Sequence, residues 1–168
     1  FRHVNGFADR PPVRPNISMG DTLAGLHAVL GILLSLTARL RGKAPAGQVV
    51  DVAIYESVFN LLESIVPEYD GAGLVREPSG STITGIVPTN TYRCADGKYV
   101  VIGGNGDSIY QRLMRAIGRP EMAEDARFAT NGRRVDNEKE IDAAISAWTG
   151  GRDSAAVLAA LRDAQVPN

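Results

Sequence analysis

The sequence predicts an α/β protein in two parts, with residues 1–66 part of a larger domain and residues 89–168 a smaller α+β domain. Three observations predict it. In the first third an apolar helix, a Val-rich stretch and a second helical run follow one another, the order of one layer of an α/β unit. A Gly-, Ser-, Thr- and Pro-rich stretch with little periodicity, residues 67–88, then reads as a linker or mobile loop. A hairpin signature and amphipathic helices make up the rest.

Residues 1–18 read as extended loop, because Pro11, Pro12 and Pro15 each remove an N–H donor and restrain the residue before them. Gly20 follows as a flexible joint. Asp21 stands directly before an apolar run, where an N-cap residue belongs. The helix is expected from about Thr22 to Arg41, with Arg39 and Arg41 at its negative end and Gly42 as the stop. Its apolar run, residues 22–38, is shorter than the roughly 20 residues that cross a bilayer. It carries His27, Gly25 and Gly31, and reads as a fully buried core helix. Residues 48–54 read as a strand. Val58, Leu61, Leu62 and Ile65 give residues 55–66 one apolar helical face, and Pro67 is expected to end that helix.

In the second part, residues 90–93 and 98–102 flank Ala95-Asp96-Gly97, and Asp-Gly is a strong turn pair. Asp107 or Ser108 is expected to cap a helix to about Ile117, ended by Gly118 and Pro120. A loop carrying Arg127, Arg133 and Arg134 follows, then amphipathic helices at 138–148 and 154–164.

The balance of 18 basic against 19 acidic side chains gives a net charge of −1, which argues against nucleic acid or an anionic membrane surface as partner. Cys94 is the one cysteine, so no internal disulfide exists, and a reducing, cytoplasmic setting is expected. No base accompanies Cys94 to make it a nucleophile. No His/Cys/Asp/Glu group has metal-ligand spacing. Phe1 in place of an initiator Met, and a last residue at Asn168 just after Val-Pro, read as an internal piece of a longer protein, inactive by itself.

Asp21 is the leading candidate site residue. From its position it reads as a helix cap, and a helix N-terminus also favours an anion. His27, a single His on an apolar helix, reads as a hydrogen-bonded core residue, with acid or base work the alternative. Residues 79–85 form a small-residue loop that could close over a substrate, with Gly80 and Gly85 as its candidate binding positions; a linker is the other reading. Gly103-Gly104-Asn105-Gly106 lacks the spacing of a nucleotide fingerprint and reads as a strand-to-helix turn. Arg127, Arg133 and Arg134 read as a solvated face with local salt bridges, or as binders of a carboxylate or phosphate.

Several segments together resemble the class III CoA-transferases, the CaiB/BaiF family. They are Gly6-Phe7-Ala8-Asp9-Arg10-Pro11-Pro12, Ser18-Met19-Gly20-Asp21-Thr22-Leu23-Ala24-Gly25-Leu26 and Gly47-Gln48-Val49-Val50-Asp51-Val52-Ala53. Residues 95–100, residues 125–131 and the closing Val166-Pro167 extend the likeness. The resemblance implies a Rossmann-like large domain, a small inserted domain and two interlocked subunits. It implies acyl-CoA:carboxylate CoA-transfer with Asp21 as nucleophile, through anhydride and aspartyl-CoA intermediates. It further implies an acyl-CoA donor, a carboxylic acid acceptor, a homodimer, no metal and no permanently bound cofactor, with coenzyme A thioester as substrate. Residues 79–85 are the nearest match to the loop that shields the intermediates in some members, although they lack an unbroken glycine run. The α-methylacyl-CoA racemases share the fold and the aspartate, but Thr22-Leu23-Ala24 after Asp21 leans toward the transferases. A non-catalytic fragment is the third reading.

Overall fold

Residues 1–168, all described by the computed structural model, divide into two compact units, Phe1–Pro78 and Ser79–Asn168. The first unit is organised on helix α1 (Met19–Leu40). It starts three residues before the expected position. Thr22 Oγ1 bonds back to the Ser18 carbonyl at 3.0 Å, and no side chain caps the end. Gly20 is therefore no joint but part of the first turn. A Cβ there would stand 2.9 Å from Ile54 Cγ2, so the missing side chain admits helix α2 (Ile54–Phe59) against α1. Gly31 acts likewise, where a Cβ would lie 2.5 Å from Val50 Cγ1.

The expected strand at 48–54 does not form. Residues 48–53 run without regular structure along α1, because no strand among residues 1–78 lies beside them to complete a ladder. The expected helix at 55–66 is two helices, α2 and α3 (Ile65–Ala72). Pro67 lies within the first turn of α3, where its missing N–H would have no partner anyway. Gly73, at φ 65°, closes α3 in the left-handed conformation. Arg76 then folds back to Glu68 at 2.5 Å and Ser64 at 3.0 Å, and the hydrogen bonds from Arg76 and Ser64 hold the Glu68 carboxyl below its ordinary range.

The expectation of a buried α1 is corrected. No residue of α1 is buried in this chain, and Leu33, Leu34 and Leu40 are 55%, 71% and 88% exposed. Only α2 and its approach cover one stripe of a helix that is apolar almost all round. At 22 residues it is long and apolar enough to cross a membrane, by length and composition alone.

The second unit has a core of its own. Strands β3 (Thr89–Arg93) and β4 (Tyr99–Gly103) pair antiparallel, with Thr89 opposite Gly103 and Arg93 opposite Tyr99; the two-residue strands β1 (Gly6–Phe7) and β2 (Ser79–Gly80) precede them in the chain. Gly97, at φ 79°, makes the expected turn. Along β4, Val100 and Ile102 are buried while Tyr99 and Val101 are exposed, the period-two pattern of a sheet covered on one face. Helix α4 (Asp107–Ala116) buries Tyr110, Leu113 and Met114 on one stripe. Pro120 opens the short helix α5 (Pro120–Glu124). The expected arginine loop is instead a 3₁₀ turn (Ala126–Phe128) and helix α6 (Asn131–Asp136). Helices α7 (Glu138–Gly150) and α8 (Ser154–Asp163) cover the hairpin with Ile141, Ile145, Trp148, Val157 and Leu161. The chain as a whole is mixed α/β.

Candidate functional site

Asp21 occupies the first turn of α1, where the helix dipole favours a negative side chain. It is not the N-cap; Ser18 holds that position. Asp21 is exposed and lines an open pocket of about 260 Å³ together with Arg2, Arg14, Ser18, Gly20 and Val58. A carboxylate in the first turn of a helix and open to solvent can present a nucleophilic oxygen to an electrophilic carbonyl. Gly20 fixes that end, since its lack of a side chain lets Ile54 and Val58 pack directly beneath the turn.

His27 is fully engaged. Its Nδ1 lies 2.8 Å from the Leu23 carbonyl and its Nε2 3.3 Å from Asn60 Nδ2, so Nδ1–H donates and Nε2 accepts. It ties α1 to the residue after α2 and is spent on structure. It lines a separate apolar groove of about 620 Å³ with Leu30, Leu34, Val52 and Asn60, away from the pocket of Asp21.

The arginines separate into different roles. Arg127 is pinned by Asp125 at 2.8 Å and Glu140 at 2.9 Å, a local salt-bridge pair, and the same contact holds the Asp125 carboxyl below its ordinary range. Arg133 donates to the Ala126 carbonyl. Arg134 corrects the solvated-face reading: it is completely buried. It donates to the Val87, Phe128 and Asn105 carbonyls at 2.9, 3.0 and 2.6 Å and to Asp107 at 2.8 Å, and its guanidinium lies 4.9 Å from the Tyr110 ring centre. A guanidinium with every face occupied binds no substrate anion.

Gly103 to Gly106 form a turn whose Asn105 carbonyl is one of the acceptors of Arg134. Gly104 is glycine for packing, because a Cβ there would meet Leu113 Cδ2 at 2.7 Å and Pro88 Cγ at 3.0 Å. Cys94 is buried, and desolvation together with the charges of Asp96 and Asp153 pushes its thiol up, the opposite of an activated nucleophile. No cluster of three or more His, Cys, Asp or Glu side chains is placed to hold a metal ion.

Residues 79–87 form a compact loop of two tight turns. Ser79 Oγ donates to the Thr82 carbonyl and Thr82 Oγ1 to that of Ser79, at 3.0 and 2.9 Å. Ile83 bridges to Ile86, and Gly85 turns the chain at φ 82°. Two asparagines hold this loop, and sequence reasoning missed both. Asn131 receives the Val87 N–H at 3.1 Å and donates to the Gly85 carbonyl at 2.8 Å. Asn90 accepts from Ser81 Oγ at 2.6 Å and donates to Asp142 at 2.9 Å, while Tyr92 donates to the other oxygen of Asp142 at 2.5 Å. Burial and the Asp142 charge push the Tyr92 phenol far up, so it remains a donor. The one legible signal was the residue type itself, since an asparagine side chain bonds readily to backbone.

The CoA-transferase family III model matches residues 1–168. The chain is 48% identical over 149 residues to succinyl-CoA–D-citramalate CoA-transferase of Chloroflexus aurantiacus, covering 89% of this chain and 37% of that protein. It is 32% identical over 166 residues to a succinyl-CoA–L-malate CoA-transferase alpha subunit of the same organism, covering 98% and 38%. Among solved structures, a CAIB/BAIF family protein from Brucella suis superposes with a TM-score of 0.71 at 28% identity, over 99% of this chain and 43% of that one. The chain thus spans well under half the length of the relatives it matches. With the family matched from the first residue to the last and the Gly20-Asp21 turn seated at an open pocket, this chain belongs to CoA-transferase family III.

Proposed function

We propose that the protein of which this chain forms part is an acyl-CoA:carboxylate CoA-transferase with Asp21 as its nucleophile. The observation that carries the reading is the family match over the whole chain together with Asp21, exposed at the rigid start of α1 in an open pocket. The two relatives take succinyl-CoA by name, with citramalate and malate as the other acids. We take a succinyl-type donor and a dicarboxylic acceptor as the first substrates to test.

The chemistry is a sequence of acyl transfers. An Asp21 oxygen adds to the donor thioester carbonyl, the C–S bond breaks, and CoA leaves as thiolate, giving a mixed anhydride. The thiolate then adds to the Asp21 carbonyl carbon and releases the donor acid, leaving an aspartyl-CoA thioester. The acceptor carboxylate adds to that carbon and expels CoA thiolate, forming a second anhydride. The thiolate finally adds to the acceptor's carbonyl and returns Asp21 as carboxylate. One thioester and one carboxylate enter and leave, so no redox step or water is consumed. The loop at residues 79–85, with Gly80 and Gly85, is assigned the exclusion of water from the acyl intermediates. The assembly is taken as an interlocked homodimer in the cytoplasm, with a Rossmann-like large domain completed by the rest of the protein, which would also cover α1.

The test is trapping in full-length protein. With succinyl-CoA present, hydroxylamine should convert Asp21 to a hydroxamate detectable by mass spectrometry, and Asp21→Asn should lower transfer by at least about a thousandfold. An unmodified Asp21 in an enzyme that still transfers CoA would sink the mechanism. Solvent deuterium entering the α-carbon of an acyl-CoA without any acceptor acid would instead identify a racemase.

A further inference from the structure

Three arginines stand in residues 1–18, and they are used differently. Arg10 is spent on packing, its Cζ 5.1 Å from the centre of the Phe7 ring. Arg2 and Arg14 belong to no salt bridge, and both line the pocket of Asp21. The backbone under each is held. Arg2 opens a 3₁₀ turn (Arg2–Val4) that Asn5 closes, with its N–H donating to the Arg2 carbonyl at 3.2 Å and its carboxamide to the Phe1 carbonyl at 2.8 Å. Arg14 stands between Val13 and Pro15. Val13 packs on Gly6, where a Cβ would meet Val13 Cγ2 at 3.1 Å, and the Pro15 ring restrains Arg14 to extended backbone. The pocket therefore sets two positive side chains against the one negative charge of Asp21, with Ile17 and Val58 as apolar wall.

We infer that Arg2 and Arg14 are specificity-determining residues that recognise the second carboxylate of a dicarboxylic acyl group, in donor and acceptor alike. This recognition rests on the transferase reading, in which the thioester carbonyl meets Asp21 and the acyl end of the substrate occupies the pocket. A diacid brings a second negative charge toward an anionic nucleophile, and a cation in the same pocket offsets the repulsion. A guanidinium suits the task, because its planar fork takes both oxygens of a carboxylate at once. A monocarboxylic acyl group of the same length leaves both guanidinium groups facing a methyl group, so the site discriminates against it. The phosphates of coenzyme A are anions too, but the whole pantetheine arm separates them from the thioester, out of reach of side chains that line the pocket of the attacked carbonyl. At about 260 Å³ the pocket is smaller than the roughly 300–1,000 Å³ of sites for drug-sized ligands, a size for a short acyl chain and not for the coenzyme. Donor and acceptor form the same kind of anhydride with Asp21 in turn, so one recognition site serves both.

The experiment uses full-length protein carrying Asp21→Asn, which stops covalent exchange and leaves binding to be measured by calorimetry. Succinyl-CoA should bind at least about tenfold more tightly than butyryl-CoA, which has the same carbon chain with a methyl group in place of the carboxylate. Adding Arg2→Gln or Arg14→Gln should each cut that ratio about threefold, and the two together should bring it within about twofold of equality. The paired substitutions Arg2→Lys and Arg14→Lys keep the charge without the fork, so the ratio should fall only part of the way; this pair decides if the glutamine pair does not fold. Equal binding of the two thioesters before any arginine is changed overturns the recognition, and so does a ratio that survives loss of both arginines. A single substitution that leaves the ratio unchanged removes that residue from the site. Equal losses for succinyl-CoA, butyryl-CoA and free coenzyme A would assign the arginines to the phosphates of the coenzyme and overturn the carboxylate role. Failure of the transferase reading would appear separately, as no Asp21 adduct in wild-type enzyme, while the binding ratios still decide what Arg2 and Arg14 recognise.

Discussion

Leu33 of α1 and Leu113 of α4 are both apolar side chains on helices, yet the first is 55% exposed and the second wholly buried. The contrast runs through the two units. Every buried hydrophobic residue of the chain lies between Val87 and Val166, whereas the only buried residue of Phe1–Pro78 is Ser57. The second unit satisfies itself: its helices turn their apolar stripes onto one hairpin, and a buried arginine ties four segments together. The first unit has as strong an apolar pattern and no surface to put it against. Hydrophobic burial needs a partner as well as a pattern. Apolar content alone says little about whether a segment carries its own stability.

The largest expected effect breaks the comparison by separating the units. A peptide of residues 79–168 should unfold with one cooperative thermal transition, and a peptide of residues 1–78 should show none by circular dichroism. A cooperative melt from residues 1–78 would mean that α1 finds cover within this segment. Next is Arg134→Ala in the 79–168 peptide, which removes four hydrogen bonds and orphans three backbone carbonyls. A loss of about 4 kcal/mol in urea unfolding is expected. Loss below about 1 kcal/mol would show that water replaces the guanidinium freely.

A matched pair sharpens the contrast further. Leu113→Ala should cost about 3 kcal/mol through the cavity it leaves, while Leu33→Ala should stay within about 0.5 kcal/mol in this chain. In full-length protein, where the proposed remainder covers α1, the cost of Leu33→Ala should rise toward that of Leu113→Ala; an unchanged small cost would refute that cover.

The smallest effect is acid sensitivity. Arg127 holds Asp125 below the ordinary carboxylate range, and Ser154 does the same for Asp96. A lowered folded-state pKa adds stability above the unfolded value that is lost as pH falls through the folded one. Glu138, pushed up by burial and by Asp142, works in the opposite sense and favours the folded state at low pH. The melting temperature of residues 79–168 should therefore drop modestly below about pH 4, and Asp125→Asn should flatten that drop. An identical pH profile in the variant would remove Asp125 from the account.

How much was legible follows the same division. In the second unit the two hairpin strands, the Gly97 turn and the spans of α4, α7 and α8 could be read within a residue or two, because period-two and period-3.6 patterns there report the packing that actually occurs. In the first unit the helix at 22–41 was legible but its burial was not, and the strand at 48–54 failed because a strand exists only with a neighbour. Asp21 was singled out from the Gly-Asp turn and its flanks and expected at the cap; the structure places it in the first turn.

The sequence by itself determined the family, the helices α1, α4, α7 and α8 and the hairpin, since these depend on residues close together in the chain. Only the tertiary structure decided what Arg134, Asn90 and Asn131 do. Their partners stand 47, 52 and 46 residues away, at Val87, Asp142 and Gly85. Local patterning carries no record of which distant carbonyl a donor will meet; that is settled when the core closes and each buried polar group must find a partner.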